Sequence, residues 1–184
     1  GVAAPPVMTV PYKGSITFDI TANTGYDLVD VKKDNVSQGP VPSVTFSNVD
    51  ADHTIAATCA RKVFTITPTW ASGGSINPGT IQTVFYGDSI TFNIVPDTGY
   101  VVDNVLVDGV SQDAITSYTF PNVTANHTIF ATFKLKTFVI TAVAGANGVI
   151  APAGEVTVNY GGSQTFVITP NTGYLVGDFE DSDL

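Results

Sequence analysis

Short runs in which apolar and polar residues alternate recur along the whole chain. The run ITFNI (90–94) has apolar residues at every second position, and ITFDI (16–20) and QTFVI (164–168) keep the same plan. The runs FTIT (64–67) and FVIT (138–141) alternate in the same way. A period of two residues is typical of a β-strand that buries one face, so each run is predicted to be a strand.

Glycine- and proline-rich segments separate the predicted strands. GGSINPGT (73–80) and GVIAPAGE (148–155) interrupt the alternation, and Asp108-Gly109 follows the β-rich run YVVDNVLV (100–107). An Asp-Gly pair at the end of such a run is a strong signal for a hairpin turn. Because no helical periodicity extends beyond a single turn, we predict an all-β fold with about five short strands in each repeating unit.

One phrase, Thr-Gly-Tyr, recurs three times at a constant interval. Tyr26, Tyr100 and Tyr174 follow one another at intervals of 74 residues, and His53 and His127 are 74 residues apart. The same interval separates the members of three further sets: Tyr12, Tyr86 and Tyr160; Phe18, Phe92 and Phe166; Phe64 and Phe138. A fixed period indicates tandem copies of one structural unit, so we predict an elongated array of small β modules.

The period divides the chain into three copies, of which only the middle one is predicted to be complete. Repeat 1 (residues 1–61) has no counterpart of VFTITPTWASGG (63–74) and so lacks its first strand. Repeat 2 is residues 62–135. Repeat 3 (136–184) has no counterpart of residues 111–133 and so lacks its last strands. The predicted core of repeat 2 is Phe64, Ile66, Phe92, Ile94, Val105, Phe120, Ile129 and Phe133.

Gly25, Gly99 and Gly173 occupy the same place in the three copies, between the end of one predicted strand and the start of the next. Glycine adopts a positive φ without steric cost, and an Asn or Asp two residues earlier favours a turn. We interpret the three glycines as structural turns, because no charged or polar partner that would indicate a ligand site recurs beside them. The tyrosine after each glycine is predicted to begin the next strand and to pack its ring over the module edge.

The net charge of the chain limits the classes of molecule that it is expected to bind. Sixteen acidic and seven basic residues give a net charge of −9, so a phosphate backbone would be repelled and nucleic-acid binding is not expected. Charged residues make up 12% of the chain, about half the usual share, and the Thr, Asn and Gly content is typical of secreted β-rich proteins. No apolar run reaches transmembrane length, so we expect no membrane insertion within this chain.

Few residues are candidates for chemistry. His53 and His127 are equivalent, but each copy offers one histidine and no second metal ligand at a recognisable spacing. We interpret each imidazole as a cap that hydrogen-bonds the backbone before the last strand. Cys59, the single cysteine, cannot form an internal disulfide, takes the place of Phe133, and is predicted to be buried and unreactive. Without a nucleophile, phosphate-binding or paired-carboxylate motif, we predict no enzyme activity, catalytic residue, metal site or cofactor.

Two features leave a ligand-binding role open. The acidic segment DFEDSDL (178–184) carries four carboxylates and could bind Ca²⁺, although a solvated segment is the preferred interpretation because no EF-hand pattern is present. Trp70 and Tyr118 could form a surface on which sugars stack. Both features support the hypothesis of a carbohydrate- or calcium-dependent adhesion module.

The motifs of repeat 2 are similar to those of a known bacterial repeat. They are Gly73-Gly74, Tyr86-Gly87, Gly99-Tyr100 and the closing His-Thr-Ile…Phe that starts at His127. The chain resembles the divergent relatives of the internalin B-repeat, also called the Listeria–Bacteroides repeat, over nearly its whole length, once completely and twice partially. The resemblance implies small β modules, β-grasp-like or sandwich-like, strung along large secreted or cell-surface bacterial proteins. It implies no catalytic residue.

We therefore expect a non-enzymatic extracellular or bacterial cell-surface repeat protein that acts as a stalk or as an adhesion and interaction array. Its expected partners are other copies of itself, other surface proteins, or glycans. The alternative is a filament subunit that assembles head to tail, because an open strand edge in one partial repeat can be completed by another chain.

Overall fold

The computed structural model describes residues 7–177, and all regular secondary structure there is β. The strands of repeat 1 are β1 (Ile16–Asp19), β2 (Tyr26–Lys33), β3 (Val36–Ser37), β4 (Ser43–Phe46) and β5 (Ile55–Arg61). Those of repeat 2 are β6 (Val63–Trp70), β7 (Gly74–Asn77), β8 (Gln82–Phe85), β9 (Ile90–Pro96), β10 (Tyr100–Val107), β11 (Val110–Ser111), β12 (Ser117–Phe120) and β13 (His127–Leu135). Those of repeat 3 are β14 (Thr137–Ala142), β15 (Gly148–Ala151), β16 (Gly154–Asn159) and β17 (Val167–Pro170). The all-β fold class is confirmed, and within this part of the chain no helix could cross a bilayer.

The chain divides into two compact units by contact density. Of the described residues, the first unit holds 7–66, 82–90 and 119–126, and the second holds 67–81, 91–118 and 127–177. The division into three repeats stays a prediction, because compactness groups residues by contact and not by sequence equivalence.

In the first unit, the strands with alternating sequences pair and bury apolar side chains between them. β1 pairs with β4 in antiparallel register, and β2 lies between β3 and β5. Val31, Val44 and Phe46 are buried between these strands, and partly buried apolar side chains that include Phe18 and Ile55 pack against them. The first half of β6 pairs with β8 in the same unit.

The second unit repeats part of this arrangement. β10 lies between β11 and β13, as β2 lies between β3 and β5. β13 has β6 as its other neighbour, whereas β5 is an edge strand among residues 7–177. Three further antiparallel pairs are β7 with β9, β14 with β16, and β15 with β17. The two repeats therefore share the order of three strands. Among the described residues they differ in whether the last strand has a second hydrogen-bonded neighbour.

Burial agrees with most of the predicted core of repeat 2. Six of the eight side chains are buried: Ile66, Phe92, Ile94, Val105, Phe120 and Ile129. Phe64 and Phe133 are half-buried. The prediction that Cys59 is buried is wrong, because its thiol is exposed. Alternation does not produce burial in β5, because among the described residues neither of its faces is covered: residues 56–60 are all exposed, whereas Phe133, the equivalent of Cys59, is half-buried.

Two-residue turns close the β2–β3 and β10–β11 hairpins. The register pairs Val107 with Val110, which leaves Asp108 and Gly109 as the loop and confirms the predicted hairpin turn. Their φ angles are 49° and 79°. Positive φ at both central residues is what a type I′ turn requires, and its twist matches that of the flanking strands. The β2–β3 hairpin has an equivalent Asp-Asn turn with φ of 51° and 67°.

Candidate functional site

Tyrosine rings cover two of the three recurrent glycines. The Tyr86 ring lies against Gly25 and the Tyr160 ring lies against Gly99, so each glycine meets a ring from the next sequence repeat. A β-carbon added at Gly25 would lie 2.8 Å from Cε1 of Tyr86, and one added at Gly99 would lie 2.7 Å from Cε1 of Tyr160. Real β-carbons do not approach ring carbons so closely, so only glycine accepts the ring at these two places.

A single residue links the two strands that meet beside each ring. Lys62 separates β5 from β6, and Lys136 separates β13 from β14. The Lys62 N–H donates to the Gly25 carbonyl at 2.8 Å, and the Tyr86 N–H donates to the Lys62 carbonyl at 2.9 Å. The two corresponding bonds around Lys136 are both 2.8 Å. The linker therefore has both of its backbone groups bonded, which restrains rotation there.

We call each arrangement of a glycine, a lysine linker and a tyrosine a junction. The first junction is Gly25, Lys62 and Tyr86, and the second is Gly99, Lys136 and Tyr160. In each junction a phenylalanine at the start of the following strand contacts the tyrosine ring: the centroid distances are 6.4 Å in the first and 6.5 Å in the second. The interplanar angles are 46° and 42°. The geometry thus recurs at the 74-residue interval.

The two junctions differ in their charged surroundings. In the first junction the Arg61 guanidinium donates to the Tyr86 carbonyl and to the Asp88 carboxylate, with a 2.7 Å bond to the latter. The hydrogen bond to Asp88 raises the pKa of Arg61 further. In the second junction Leu135 and Gly162 stand at the equivalent positions. The ring-on-glycine contact is therefore the shared feature, and the ion pair is an addition to one of the two.

All three recurrent glycines have the backbone conformation that favours glycine. Their φ angles are 81° at Gly25, 83° at Gly99 and 86° at Gly173. Tyr26 and Tyr100 begin strands β2 and β10, whereas Tyr174 lies in a segment without a strand. A β-carbon at Gly173 would meet no atom within 4 Å, and the Tyr174 side chain is 52% exposed. The turn conformation is thus common to all three, and the ring contact to two.

The two histidines each contact an aspartate in the hairpin turn of the same repeat. His53 Nδ1 lies 2.8 Å from a carboxylate oxygen of Asp34, and His127 Nδ1 lies 2.7 Å from one of Asp108. The other carboxylate oxygen accepts the backbone N–H of the residue after the histidine, at 2.9 Å in repeat 1 and 2.8 Å in repeat 2. We call this arrangement the Asp–His clasp. It ties the hairpin turn to the start of the last strand.

The clasp changes the acidity of both carboxyl groups. The backbone hydrogen bond from Thr54, followed by the hydrogen bond to His53, lowers the pKa of Asp34. For Asp108 burial acts most strongly and raises the pKa, but the hydrogen bonds from Thr128 and His127 outweigh it, so the net pKa is lowered. Both aspartates are therefore held in the ionised form that accepts the two hydrogen bonds.

An open groove of about 870 Å³ lies on the first unit. It is lined by apolar side chains that include Ile16, Phe18 and Phe46, and by the segments 7–10 and 49–55. We call it the repeat 1 groove. Phe46 belongs to the buried core of the first unit, and Ile16 and Phe18 are partly buried beside it.

The remaining candidates are a metal site, the acidic segment and the Trp70 ring. Among residues 7–177, no three His, Cys, Asp or Glu side chains are grouped so that they could hold a metal ion. The acidic segment 178–184, the predicted place for Ca²⁺, lies outside the described residues. The Trp70 ring lies over Gly79, where an added β-carbon would be 3.2 Å from Cη2. That contact is local packing within the segment 70–79.

The sequence did not identify the aspartates that contact the recurrent histidines or the tyrosines that contact the recurrent glycines. Asp34 and Asp108 are 74 residues apart, so their recurrence was visible, but nothing in the sequence paired them with the histidines 19 residues later. Tyr86 and Tyr160 were recognised only as repeat positions. The signal that could have identified them is the recurrence of a large ring and of a glycine in every copy.

Comparison with known proteins identifies one family. Residues 64–137 match the divergent InlB B-repeat domain. This segment coincides closely with repeat 2 and confirms the resemblance drawn from its motifs. No curated protein and no solved structure matches the chain.

Proposed function

We propose that the chain is a non-enzymatic structural spacer of a bacterial surface protein, because residues 64–137 match the divergent InlB B-repeat domain. The family is generally associated with bacterial cell-surface proteins. The observation that carries the proposal is the junction, in which a one-residue linker has both backbone groups bonded and a ring packed on a glycine of the preceding repeat. A spacer needs restrained connections between successive modules, and a single-residue linker with both backbone groups bonded restrains the backbone there.

Trypsin tests the restraint directly, because it cleaves after the lysine of each linker. We expect the bonds after Lys62 and Lys136 to resist cleavage in the folded chain. Tyr86→Ala removes a ring whose burial stabilises by about 1.5–3 kcal/mol when complete. Since the ring is only half-buried, we expect cleavage after Lys62 to become about tenfold faster, which corresponds to about 1.4 kcal/mol.

Two controls keep this test specific. Tyr12→Ala removes an equivalent tyrosine that is 79% exposed, and it should leave the cleavage rates unchanged. Cleavage after Lys136 should also stay unchanged in the Tyr86→Ala protein, since its own ring, Tyr160, is intact. Mass spectrometry of the fragments identifies each site. Fast cleavage after Lys62 in the unsubstituted protein would contradict a restrained junction.

The surface location is tested on intact cells of the source bacterium. Brief protease treatment of cells should release peptides of this chain, while a cytoplasmic marker stays intact. Release only after lysis would refute a surface role. Adhesion to glycans or through Ca²⁺ remains a prediction from the sequence, and glycan-array binding with and without a chelator tests it.

A second candidate function, subunit of a head-to-tail filament, remains a prediction from the sequence. An uncovered strand edge can pair with a strand of another chain. Sedimentation velocity at rising concentration tests it, and a strictly monomeric chain would refute it.

A further inference from the structure

We propose that repeat 2 is a force-bearing module, in which β6 and β13 form a clamp that resists tension along the chain. The inference rests on the proposed spacer function, because a spacer of a surface protein transmits any pull that acts on that protein. It goes beyond that function by naming the two strands that resist the pull and the direction in which they resist it.

The strands β6 and β13 are neighbours in one sheet and run parallel to each other. In the first unit the Thr65 N–H donates to Oδ1 of Asn126 at 2.8 Å. In the second unit the Ala71 N–H donates to the Ala131 carbonyl at 3.0 Å. The partners thus advance along β13 in the same direction as the donors advance along β6, which is possible only for parallel strands.

A close backbone approach continues this register in the second unit. Gly73 lies two residues after Ala71, and Phe133 lies two residues after Ala131. A β-carbon added at Gly73 would lie 3.1 Å from Cβ of Phe133. The parallel arrangement therefore extends past the end of β6, and it does not depend on one hydrogen bond at either end.

Tension reaches the two strands at opposite ends of the pair. β6 starts directly after Lys62, and β13 ends directly before Lys136. A pull on the chain therefore draws the start of β6 and the end of β13 in opposite directions along their length. Parallel neighbours under this load slide past each other, so the evenly spaced bonds of the ladder share the load and break together. Antiparallel neighbours in the same places would separate one bond at a time.

A proline lies inside β6 without interrupting the clamp. Proline has no N–H, so a strand accepts it only where no ladder bond is needed. The N–H groups of a strand point alternately to its two sides, and Pro68 is three residues from both Thr65 and Ala71, whose N–H groups point towards β13. The nitrogen of Pro68 therefore lies on the other side of β6, beyond Ile66, where the pairing with β8 has ended. The ladder to β13 needs no bond from this residue.

Apolar side chains shield the clamp from water. Ile66 of β6 and both Ile129 and Ala131 of β13 are 0% exposed. Water does not readily reach a backbone group that opens beneath such side chains, so the opened group is left without a partner, which is costly. Burial therefore raises the resistance of the same two strands that carry the load.

Force spectroscopy with two attachment geometries tests the proposal. A Cys59→Ala background removes the exposed native thiol, so that introduced cysteines alone attach the handles. Lys62→Cys with Lys136→Cys loads the clamp along its strands, whereas Lys62→Cys with Ala125→Cys pulls the starting ends of both strands apart. The two proteins share one handle and both clamp strands, so the direction of the load is what differs. Circular dichroism and thermal unfolding check that both are folded.

The lifetime at one constant force gives the result. We expect unfolding to be at least ~tenfold slower along the strands than across them, which corresponds to a barrier difference of about 1.4 kcal/mol. In the along-strand geometry, release of residues 63–135 should lengthen the chain by about 220 Å, because an extended residue spans about 3.3–3.6 Å and the folded strand length is subtracted. Equal lifetimes, or a shorter lifetime along the strands, would overturn the proposal.

Substitution of Asn126 tests the bond at the start of the clamp. Asn126→Ala removes the acceptor of the Thr65 N–H and should shorten the along-strand lifetime, and Asn126→Asp, which keeps an acceptor oxygen, should restore it. Ser111→Ala is the matched control, because it removes a 2.7 Å bond to Asn104 on β11, outside the clamp, and should leave the lifetime unchanged. An unchanged lifetime in Asn126→Ala, or an equal loss in Ser111→Ala, would contradict a clamp between β6 and β13.

Failure of the clamp is distinguishable from failure of the spacer. Trypsin cleavage after Lys62 reports on the linker, and protease release from cells reports on the surface location. A repeat 2 that unfolds equally fast in both attachment geometries would leave these two results unchanged. Fast cleavage after Lys62 in the unsubstituted protein would refute the restrained junction and leave the ratio of the two lifetimes to be measured as before.

Discussion

Replacing Gly99 by alanine separates the two reasons for a glycine at the second junction. Gly99 has a φ of 83°, and an added β-carbon would lie 2.7 Å from Cε1 of Tyr160. A left-handed conformation costs an L-residue about 1–2 kcal/mol. Forcing a carbon into a filled space costs a further 1–3 kcal/mol, roughly. We therefore expect Gly99→Ala to lower the free energy of unfolding by about 2–5 kcal/mol.

Gly109 provides a matched control in the same unit. Its φ is 79°, and an added β-carbon would meet no atom within 4 Å. Gly109→Ala therefore carries the backbone cost alone, about 1–2 kcal/mol. Urea unfolding followed by circular dichroism and by Trp70 fluorescence measures both, with coincident transitions as the check on two-state behaviour.

The ring contact is isolated by repeating the substitution without the ring. In a Tyr160→Ala background the cost of Gly99→Ala should fall to that of Gly109→Ala, because the space that the ring filled is open. Equal shifts for Gly99→Ala and Gly109→Ala in the unsubstituted protein would refute the reasoning. So would a Gly99→Ala cost that does not depend on Tyr160.

Three further results follow from the described contacts. The lowered pKa values of Asp34 and Asp108 mean that the clasp stabilises the fold fully above the ordinary aspartate value of 3.8 and that this contribution is lost as pH falls through the lower folded pKa. Thermal unfolding between pH 6 and pH 2 should show this loss, and Asp108→Asn, which cannot ionise, should show less pH dependence over the same range. Cys59, being exposed, should react with a thiol reagent in the folded protein at the rate seen in urea, and protection until unfolding would contradict the exposed position. Arg61→Ala should leave thermal stability within experimental error, because exposed ion pairs contribute little and the second junction has none at this place; a large loss would show that the first junction depends on charge.

The sequence predicted the strands and turns better than it predicted which strands pack against one another. Alternation and turn residues identified the strands around Phe92 and the Asp108-Gly109 hairpin, because both are properties of a few consecutive residues. The burial of Cys59 was wrongly predicted because burial is not a property of a few consecutive residues. Alternation states which face of β5 its side chain occupies, but whether another strand covers that face depends on residues far along the chain.

The junction illustrates a second limit. Each copy of the repeat contains one tyrosine of the set Tyr12, Tyr86 and Tyr160 and one Gly-Tyr motif, so the sequence allows Gly25 to meet either Tyr12 of its own copy or Tyr86 of the next. A strict period cannot separate these choices, since every copy offers both at the same spacing. The structure selects Tyr86, and the one-residue linker at Lys62 supplies the reason. With β6 starting directly after β5, the following copy brings its ring back to the glycine beside that linker.

Comparison of the two junctions shows which contacts are retained when neighbouring residues differ. Between them Arg61 is exchanged for Leu135 and Asp88 for Gly162, yet the ring-to-glycine contact, the two linker bonds and the ring-to-phenylalanine distance are retained. An arrangement that survives the loss of an ion pair is held by shape and backbone hydrogen bonds. At Gly25 and Gly99 glycine is therefore required for two reasons: its positive φ, and the tyrosine ring that fills the space of a side chain.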